Sequence, residues 1–242
     1  MPFFKKITKS LSLSTLALIM SAGSTLSLAP ATAFAQENLP SRQFSAAAGK
    51  VVSEALLLID AGKHEDALAQ LLTLSNGVSL NAYERSTVYQ MQGSAYYELN
   101  QYEKAIGAFE NAVQAGGLLP AETKMLKLNA AQLRIGNGQY ATGAAALEDY
   151  FLRGGESKPQ LIEILVQSWV QADEPAKALP WAEQWFETAA PKERRHYDLM
   201  NYLYANLGMK DYQADILSQM ILLWPDDDTL RSALSVIKTG PQ

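Results

Sequence analysis

The chain has 242 residues, of which 48% are hydrophobic and 19% charged, as expected of a folded domain rather than a disordered chain. It contains no cysteine, which excludes both a disulfide framework and a cysteine-linked lipid anchor. Its 25 acidic and 20 basic side chains give a net charge of −5, which disfavours nucleic acid and anionic lipid as partners.

Residues 1–35 have the pattern of a secretory signal peptide. A basic head of three lysines precedes an apolar stretch at 11–28, and Ala33-Phe34-Ala35 supplies the small residues of a cleavage site. An uncleaved membrane anchor is the alternative, because the uncharged run is long enough to span a bilayer. Its many serines and threonines favour cleavage, so we expect an exported chain that starts at Gln36. Loss of the three lysines would change the net charge from −5 to −8.

After a short linker at 36–43, the apolar periodicity predicts helical hairpins over 44–225 and no β-strand. Glycines follow most of the apolar runs, and prolines stand at or just before several helix starts, as helix ends require. An acidic cluster at 226–228 predicts a final capping helix through Lys238 within the C-terminal segment 226–242. The predicted first helices lie near 45–60, 82–99, 120–136, 158–171 and 191–207, and the second helices near 64–75, 102–115, 140–152, 175–189 and 211–223.

The most informative stretch, Thr87–Ala112, has the residue spacing of a tetratricopeptide repeat. Gly93 and Ala105 are small residues at the predicted closest approach of two helices, and Tyr96 and Phe109 fill the space around it. The start of the second helix recurs near residues 64, 140, 175 and 211. The sequence therefore predicts an all-α, tetratricopeptide-like solenoid, a right-handed superhelix of about five repeats. Such stacked hairpins present a groove, which favours a binding role.

Residues that could carry catalysis are sparse. His64 and His196 are the only histidines, and neither has a second nitrogen ligand within helical reach, so no metal site is predicted. The sequence has no phosphate-binding glycine loop and no nucleophile-elbow serine. Glu183 and Glu187 lie four residues apart and would form an acid/base pair only if one were buried. We expect no enzymatic activity and no cofactor, with a hydrolase on a helical scaffold as the less favoured alternative.

The concave side of such an array is lined by the first helices. Amides and tyrosines dominate the predicted positions, which suits hydrogen bonding to an extended peptide. We expect these side chains to be presented to a protein or peptide partner, and we expect Tyr97, Asn129 and Gln132 to tolerate alanine. The basic residues that would clamp a C-terminal carboxylate are missing. The predicted groove residues are Gln90, Ser94, Tyr97, Asn129, Gln132, Glu163, Gln167, Asn201 and Tyr204.

A second candidate contact patch consists of Trp181, Arg194 and Arg195. Trp181 falls outside the repeat packing positions, whereas Trp169 and Trp185 fall on them and are predicted to be buried. The two arginines oppose the dipole of the helix that they begin. Three interpretations are open. The arginines are solvated, with Glu193 and Asp198 as compensating charges; or they belong to a partner-binding patch; or they form an inter-repeat ion pair that reaches Glu183 or Glu187.

Three fragments carry a more specific resemblance: Met91–Tyr97, Asn129–Leu133 and Pro191–Leu199. They resemble the exported tetratricopeptide proteins encoded beside TonB–ExbB–ExbD energy-transduction systems of Gram-negative bacteria, over roughly residues 45–225. The resemblance implies a periplasmic adaptor that supports TonB-dependent transport, with a TonB-system component as a candidate partner. An adaptor for envelope assembly or for the Tol–Pal system would share the fold and is the alternative.

Overall fold

The computed structural model describes residues 42–77 and 79–238, except for the side chain of Ile237. In this part of the chain there are eleven α-helices and no β-strand, so the predicted all-helical repeat fold is confirmed. The predicted signal peptide and most of the predicted linker lie outside the described residues. The helices are α1 (Ala46–Asp60), α2 (His64–Gly77), α3 (Ala82–Glu98), α4 (Tyr102–Gln114), α5 (Pro120–Gly136), α6 (Tyr140–Leu152), α7 (Pro159–Gln171), α8 (Pro175–Thr188), α9 (Arg194–Asn206), α10 (Lys210–Leu223) and α11 (Asp227–Lys238).

Helix starts follow the local chemistry of the sequence. Asn81 caps α3 by accepting the backbone N–H of Glu84, and the Glu84 carboxylate accepts the backbone N–H of Asn81 in return. Prolines stand in the first turn of α5, α7 and α8, where an N–H would have no helical partner. The start of α9 differs from the prediction. It begins at Arg194 rather than 191, because Glu193 is the extended N-cap residue and its N–H meets Nδ1 of His196.

Helix ends show a left-handed residue just beyond the last turn. Gly62, Gly116, Gly138, Gly154 and Gly208 all have positive φ there, as the sequence predicted. The ends of α3 and α7 use Asn100 and Asp173 instead, with φ of 57° and 59°. Short polar side chains tolerate this conformation better than others do, so these two ends lack the glycine signal.

The helices form two compact units, which divide after Gln139. The first unit contains α1 to α5, and each helix packs on the next along the chain. The third predicted hairpin therefore contributes α5 to this unit and α6 to the second. The core of the first unit has two clusters of apolar side chains. One contains Ala48, Val52, Ala55, Ala67, Leu71, Leu74, Leu80, Val88 and Met91, and the other contains Ala105, Ile106, Phe109, Ala112, Leu126, Ala130 and Leu133.

The second unit contains α6 to α11, again with consecutive helices in contact. Trp169 and Trp185 are 3% and 5% exposed, which confirms that they occupy packing positions. The final helix α11 is present, as predicted, but among its described residues only Thr229 is buried. All four tryptophans of the chain lie in this unit, so their fluorescence reports on it alone.

The predicted close contact between α3 and α4 is confirmed. A Cβ atom at Gly93 would come within 2.5 Å of the Phe109 ring, and Ala105 is completely buried. Glycine at position 93 therefore leaves the space that the Phe109 ring fills. The repeat frame read from the sequence is correct at this hairpin.

Candidate partner-binding surface

The first candidate surface lies on α3 of the first unit. Gln90 and Tyr97 are seven residues apart, two helical turns along one face, and both are half-buried. Within the described residues neither the Gln90 side-chain amide nor the Tyr97 hydroxyl has a hydrogen-bond partner. Burial, followed by the neighbouring Tyr102 and Glu98, raises the pKa of Tyr97, so its phenol remains a donor at neutral pH. Both groups are available to a partner.

Ser94, between them, is a correction to the predicted groove. It is only 5% exposed, and its hydroxyl donates to the backbone carbonyl of Gln90 at 3.1 Å. A serine inside a helix commonly bonds to the carbonyl four residues earlier, which turns its side chain back onto its own helix. Ser94 is therefore packed rather than presented.

The corresponding face of α5 shows the same division. Gln132 is half-buried, and its amide has no hydrogen-bond partner among the residues that the structure describes. Asn129 is only 9% exposed, so the expectation that it projects toward a partner is wrong. It falls three residues after Leu126 and four before Leu133, on the stripe of α5 that faces the core. We call Gln90, Tyr97 and Gln132 the amide face.

One contact that the sequence did not reveal bridges the first turns of α3 and α5. The Arg42 guanidinium lies 4.7 Å from the centre of the Tyr83 ring on α3. The same group donates two hydrogen bonds, each 2.8 Å, to the Glu122 carboxylate on α5. Residues 42 and 43, predicted as linker, are thus held against the repeats. The contact joins residues 80 positions apart, and no local pattern signals it.

Glu84 is the second carboxylate at this end of the unit, and it is only 2% exposed. It accepts the backbone N–H of Ser45 at 2.6 Å and that of Asn81 at 2.8 Å. Burial alone would raise the pKa of Glu84, but these two N–H donors outweigh it and the pKa lies below its usual value. The spacing Asn81-x-x-Glu84 is a capping-box pattern, which could have identified the pair from sequence.

Removing the Glu122 charge is expected to weaken the first unit in a pH-dependent way. The hydrogen bonds from Arg42 are the largest of the effects that hold the pKa of Glu122 below its usual value of 4.5, and burial opposes them. Because the folded pKa is lowered, this stabilisation is present above 4.5 and is lost as the pH falls through the lowered value. Both side chains are about one-third exposed, so screening limits the effect to about 1 kcal/mol or less.

Melting curves of the wild type and Glu122→Gln between pH 7 and pH 3 provide the measurement. The wild type should melt higher at pH 7, and the gap should close in acid. A gap that is the same at both ends of this range would contradict the assignment.

The groove positions predicted in the second unit are satisfied within the chain. Glu163 accepts from Arg195 at 2.7 Å and from Gln167 at 3.2 Å, and Asn201 accepts from Gln213 at 3.0 Å. Groups that already bond to each other must break those bonds before they bind a partner, which costs affinity. These residues are therefore weaker candidates than the amide face.

Tyr204 is a further correction, since it is 7% exposed rather than presented. It follows the buried Met200 by one turn, and its hydroxyl donates to Glu183 at 3.2 Å. Burial, followed by the nearby Glu183 charge, raises the pKa of Tyr204 to about 12. Tyr204 therefore supports the packing of α9 on its neighbours.

Arg194 and Arg195 form ion pairs within the second unit. Arg195 pairs with Glu163 on α7 at 2.7 Å, and Arg194 pairs with Asp226 at 2.6 Å. The predicted alternative of an inter-repeat ion pair is right in kind, but the acidic partners are not Glu183 or Glu187. The Thr229 N–H and Arg194 together hold the pKa of Asp226 at about 2. The predicted compensating charges are also present, because Glu193 contacts Arg195 and Asp198 contacts Arg194.

Trp181, the third member of the candidate patch, is half-buried. Its indole N–H donates to Glu148 at 2.7 Å, and its ring centre lies 5.4 Å from that of Phe151. A buried tryptophan usually finds such a partner for its N–H. Trp181 thus joins α8 to α6, and the patch as predicted is mostly internal structure.

The described residues lack two features that would indicate membrane insertion or metal chemistry. None of their helices is long and apolar enough to cross a bilayer, and they contain no group of three side chains arranged to hold a metal ion. Glu187 is exposed and Glu183 is half-buried against Tyr204, so these two residues do not form the buried acid/base pair that a hydrolase would need.

A polar cleft of about 390 Å³ is lined by residues of α9, α10 and α11 in the second unit. Asn201, Lys210, Gln213 and Ser232 line part of it. Two of these lining residues, Asn201 and Gln213, are hydrogen-bonded to each other.

Comparison with known proteins supports the fold. No protein-family model matches the sequence, and no curated protein matches it. Among solved structures, a MamA RS-1 ArsTM double mutant aligns over 81% of this chain and 97% of its own, with 12% identity and a TM-score of 0.50. This likeness and the helical hairpins decide the fold. It is a tetratricopeptide-like array of helical hairpins.

Two further tetratricopeptide structures resemble this array less closely. YrrB, described as having an unusual peptide-binding site, has 19% identity and a TM-score of 0.48, over 78% of this chain and 90% of its own. PilW, a type IV pilus biogenesis factor, has 14% identity and a TM-score of 0.41, over 79% of this chain and all of its own. At these levels of identity the likenesses concern the fold and identify no partner for this protein.

Proposed function

We propose that this protein is an exported, non-enzymatic adaptor that binds a peptide or protein partner on the amide face of its first unit. The observation that carries the proposal is the burial and hydrogen bonding of the side chains of Gln90, Tyr97 and Gln132. They are half-buried polar groups on neighbouring first helices, without hydrogen-bond partners in the described part of the chain. Groups of this kind lose little on binding and gain hydrogen bonds to a peptide backbone.

The proposed setting is the periplasm, in support of TonB-dependent transport. The signal-peptide pattern and the absence of cysteine support an exported protein without a lipid anchor. The resemblance of three sequence fragments to proteins encoded beside TonB systems supports a TonB-system component as the partner. An acidic mature chain also fits a protein that works apart from nucleic acid and anionic lipid.

Export has a direct test. The mature protein should be recovered in the soluble periplasmic fraction with Gln36 as its first residue, because the cleavage site follows Ala35. N-terminal sequencing and fractionation are the measurements. Recovery of a membrane-bound product that still begins at Met1 would contradict both the cleavage and the setting.

Capture of the partner should depend on the amide face. Gln90→Ala with Gln132→Ala is expected to weaken capture from periplasmic extract at least tenfold, about 1.4 kcal/mol, because two hydrogen-bonding groups are lost. Far-UV circular dichroism and the melting temperature should stay nearly unchanged, since neither amide has a partner in the described residues. Tyr97→Phe should weaken capture less, because it removes only one hydroxyl group and keeps the ring.

The matched control removes two exposed amides from α4, the helix between α3 and α5 in the chain, by Asn111→Ala with Gln114→Ala. It should capture as the wild type does. Equal capture by the two double variants would exclude the amide face as the site. If the wild type captures envelope-assembly or Tol–Pal proteins and no TonB-system component, the setting is the alternative one.

A further inference from the structure

Residues 42–45, here called the N-terminal segment, precede α1 and lie against the first turns of α3 and α5. The segment contacts the start of α3 through main-chain and side-chain atoms, and it contacts α5 through the Arg42 side chain. An extended chain that crosses successive first helices is also the geometry in which a repeat array would hold a peptide. In this structure the chain supplies that peptide itself.

The arginine of the segment is held on two sides. Glu122 accepts two parallel hydrogen bonds from the Arg42 guanidinium, each 2.8 Å long, and the Tyr83 ring lies 4.7 Å from the same group. A bidentate carboxylate combined with an aromatic face selects arginine over lysine, whose ammonium cannot match this planar geometry. The effect is side-chain recognition rather than general attraction of positive charge.

The remainder of the segment is held through its backbone and one aromatic ring. The Asn81 amide donates to the backbone carbonyl of Gln43 at 3.1 Å, and Glu84 accepts the Ser45 N–H at 2.6 Å. The Phe44 ring centre lies 5.1 Å from that of Tyr83. Arginine and phenylalanine, two residues apart, thus both contact the Tyr83 ring, and the Gln43 side chain between them is exposed.

We infer that Asn81, Tyr83, Glu84 and Glu122 form a recognition site for extended peptides with an arginine two residues before an aromatic residue. The N-terminal segment occupies this arginine site in cis. The inference rests on the proposed function and deepens it, because it gives the partner-binding unit a second site with a defined ligand class. A partner that carries the same motif must compete with the chain's own residues.

The contact between Arg42 and the repeats of its own chain determines how tightly a partner must bind in order to compete. Arg42 is joined to α1 by only three residues, and such short tethers give effective concentrations in the millimolar range. A free peptide at micromolar concentration should therefore bind the wild type poorly. It should bind a chain whose own arginine and phenylalanine have been removed.

The test uses the mature chain and a fluorescein-labelled peptide of residues 38–44, Asn-Leu-Pro-Ser-Arg-Gln-Phe, amidated at its C-terminus. Fluorescence anisotropy should show saturable binding to Arg42→Ala with Phe44→Ala at least tenfold tighter than to the wild type. A peptide with alanine in place of its arginine and phenylalanine should not bind. We call the variants that lack the Arg42 side chain emptied chains. Adding Glu122→Gln to the emptied chain with Arg42→Ala and Phe44→Ala should weaken peptide binding at least tenfold.

Folding of each variant is checked by circular dichroism. Arg42→Ala alone, which keeps Phe44 in place, is the milder variant, with the same expected order of affinities. Absence of saturable binding to both emptied chains, or equal binding of the alanine peptide, would overturn the inference. Gln90→Ala with Gln132→Ala should leave this binding unchanged, so failure of the arginine site and failure of the amide face are distinguishable.

Discussion

Phe109→Ala should lower the free energy of unfolding of the first unit by about 3–5 kcal/mol, the usual cost of removing a buried aromatic ring. The side chain is 1% exposed and packs against Gly93, where only a hydrogen atom leaves room for the ring. Removal leaves a cavity between α3 and α4 that the backbone cannot close by itself. Hydrogen exchange measured by mass spectrometry should show faster exchange in both helices.

A double-mutant cycle tests the proposed contact itself. Gly93→Ala should destabilise the wild type, because the new methyl group meets the Phe109 ring. In a Phe109→Leu background the same change should cost less, since leucine lacks the ring atoms that the methyl group would meet. Equal cost in the two backgrounds would show that Gly93 and Phe109 do not interact as described.

Gly117→Ala should lower the free energy of unfolding by about 3 kcal/mol. A Cβ atom at this position would collide with backbone atoms of Ala82 and Tyr83 at the start of α3. Backbone atoms cannot rotate away as a side chain can, so the loop between α4 and α5 would have to move. That movement would also strain the hydrogen bond from the Gly117 N–H to the Ser86 hydroxyl, which is 3.0 Å long.

Gly107→Ala, within α4, is the matched control. Apart from its chain neighbours and the backbone of its own helical turns, no described atom lies within 4 Å of the new methyl group, and alanine is favoured over glycine inside a helix. It should stabilise the protein by about 0.5–1 kcal/mol. Urea unfolding followed by circular dichroism measures both variants, and tryptophan fluorescence gives a separate reading of the second unit. If Gly117→Ala lowers the free energy of unfolding no more than a typical substitution at an exposed position does, the close approach of Gly117 to the start of α3 is contradicted.

The sequence predicted the features that depend on local spacing. Small residues at 93 and 105 and a ring at 109 define a helix-packing contact whatever lies elsewhere, and the structure shows that contact. Helix starts and ends were likewise predicted from caps, prolines and glycines. The sequence does not predict the late start of α9, because its cap depends on the side chain of His196 rather than on a serine, threonine or asparagine.

The burial and pairing of the candidate site residues were harder to predict, because a repeat frame identifies a helix face but not the partners of the side chains on it. Glu163 lies on the predicted face, yet Arg195 of another helix neutralises it. Asn129 has the chemistry of a contact residue, but its position places it on the packing stripe of α5. Arg42 falls in a stretch whose composition resembles a linker, and its carboxylate partner is 80 residues away.

Site-specific photo-crosslinking in living cells tests the central claim most directly. A photoreactive residue placed at Gln132, on the amide face, should give covalent adducts with the partner, and the same residue at Gln114, on α4, should give none. Mass spectrometry of the adducts should identify a TonB-system component. Adducts of equal yield at the two positions, or adducts at Gln114 alone, would contradict an adaptor that binds its partner on the amide face.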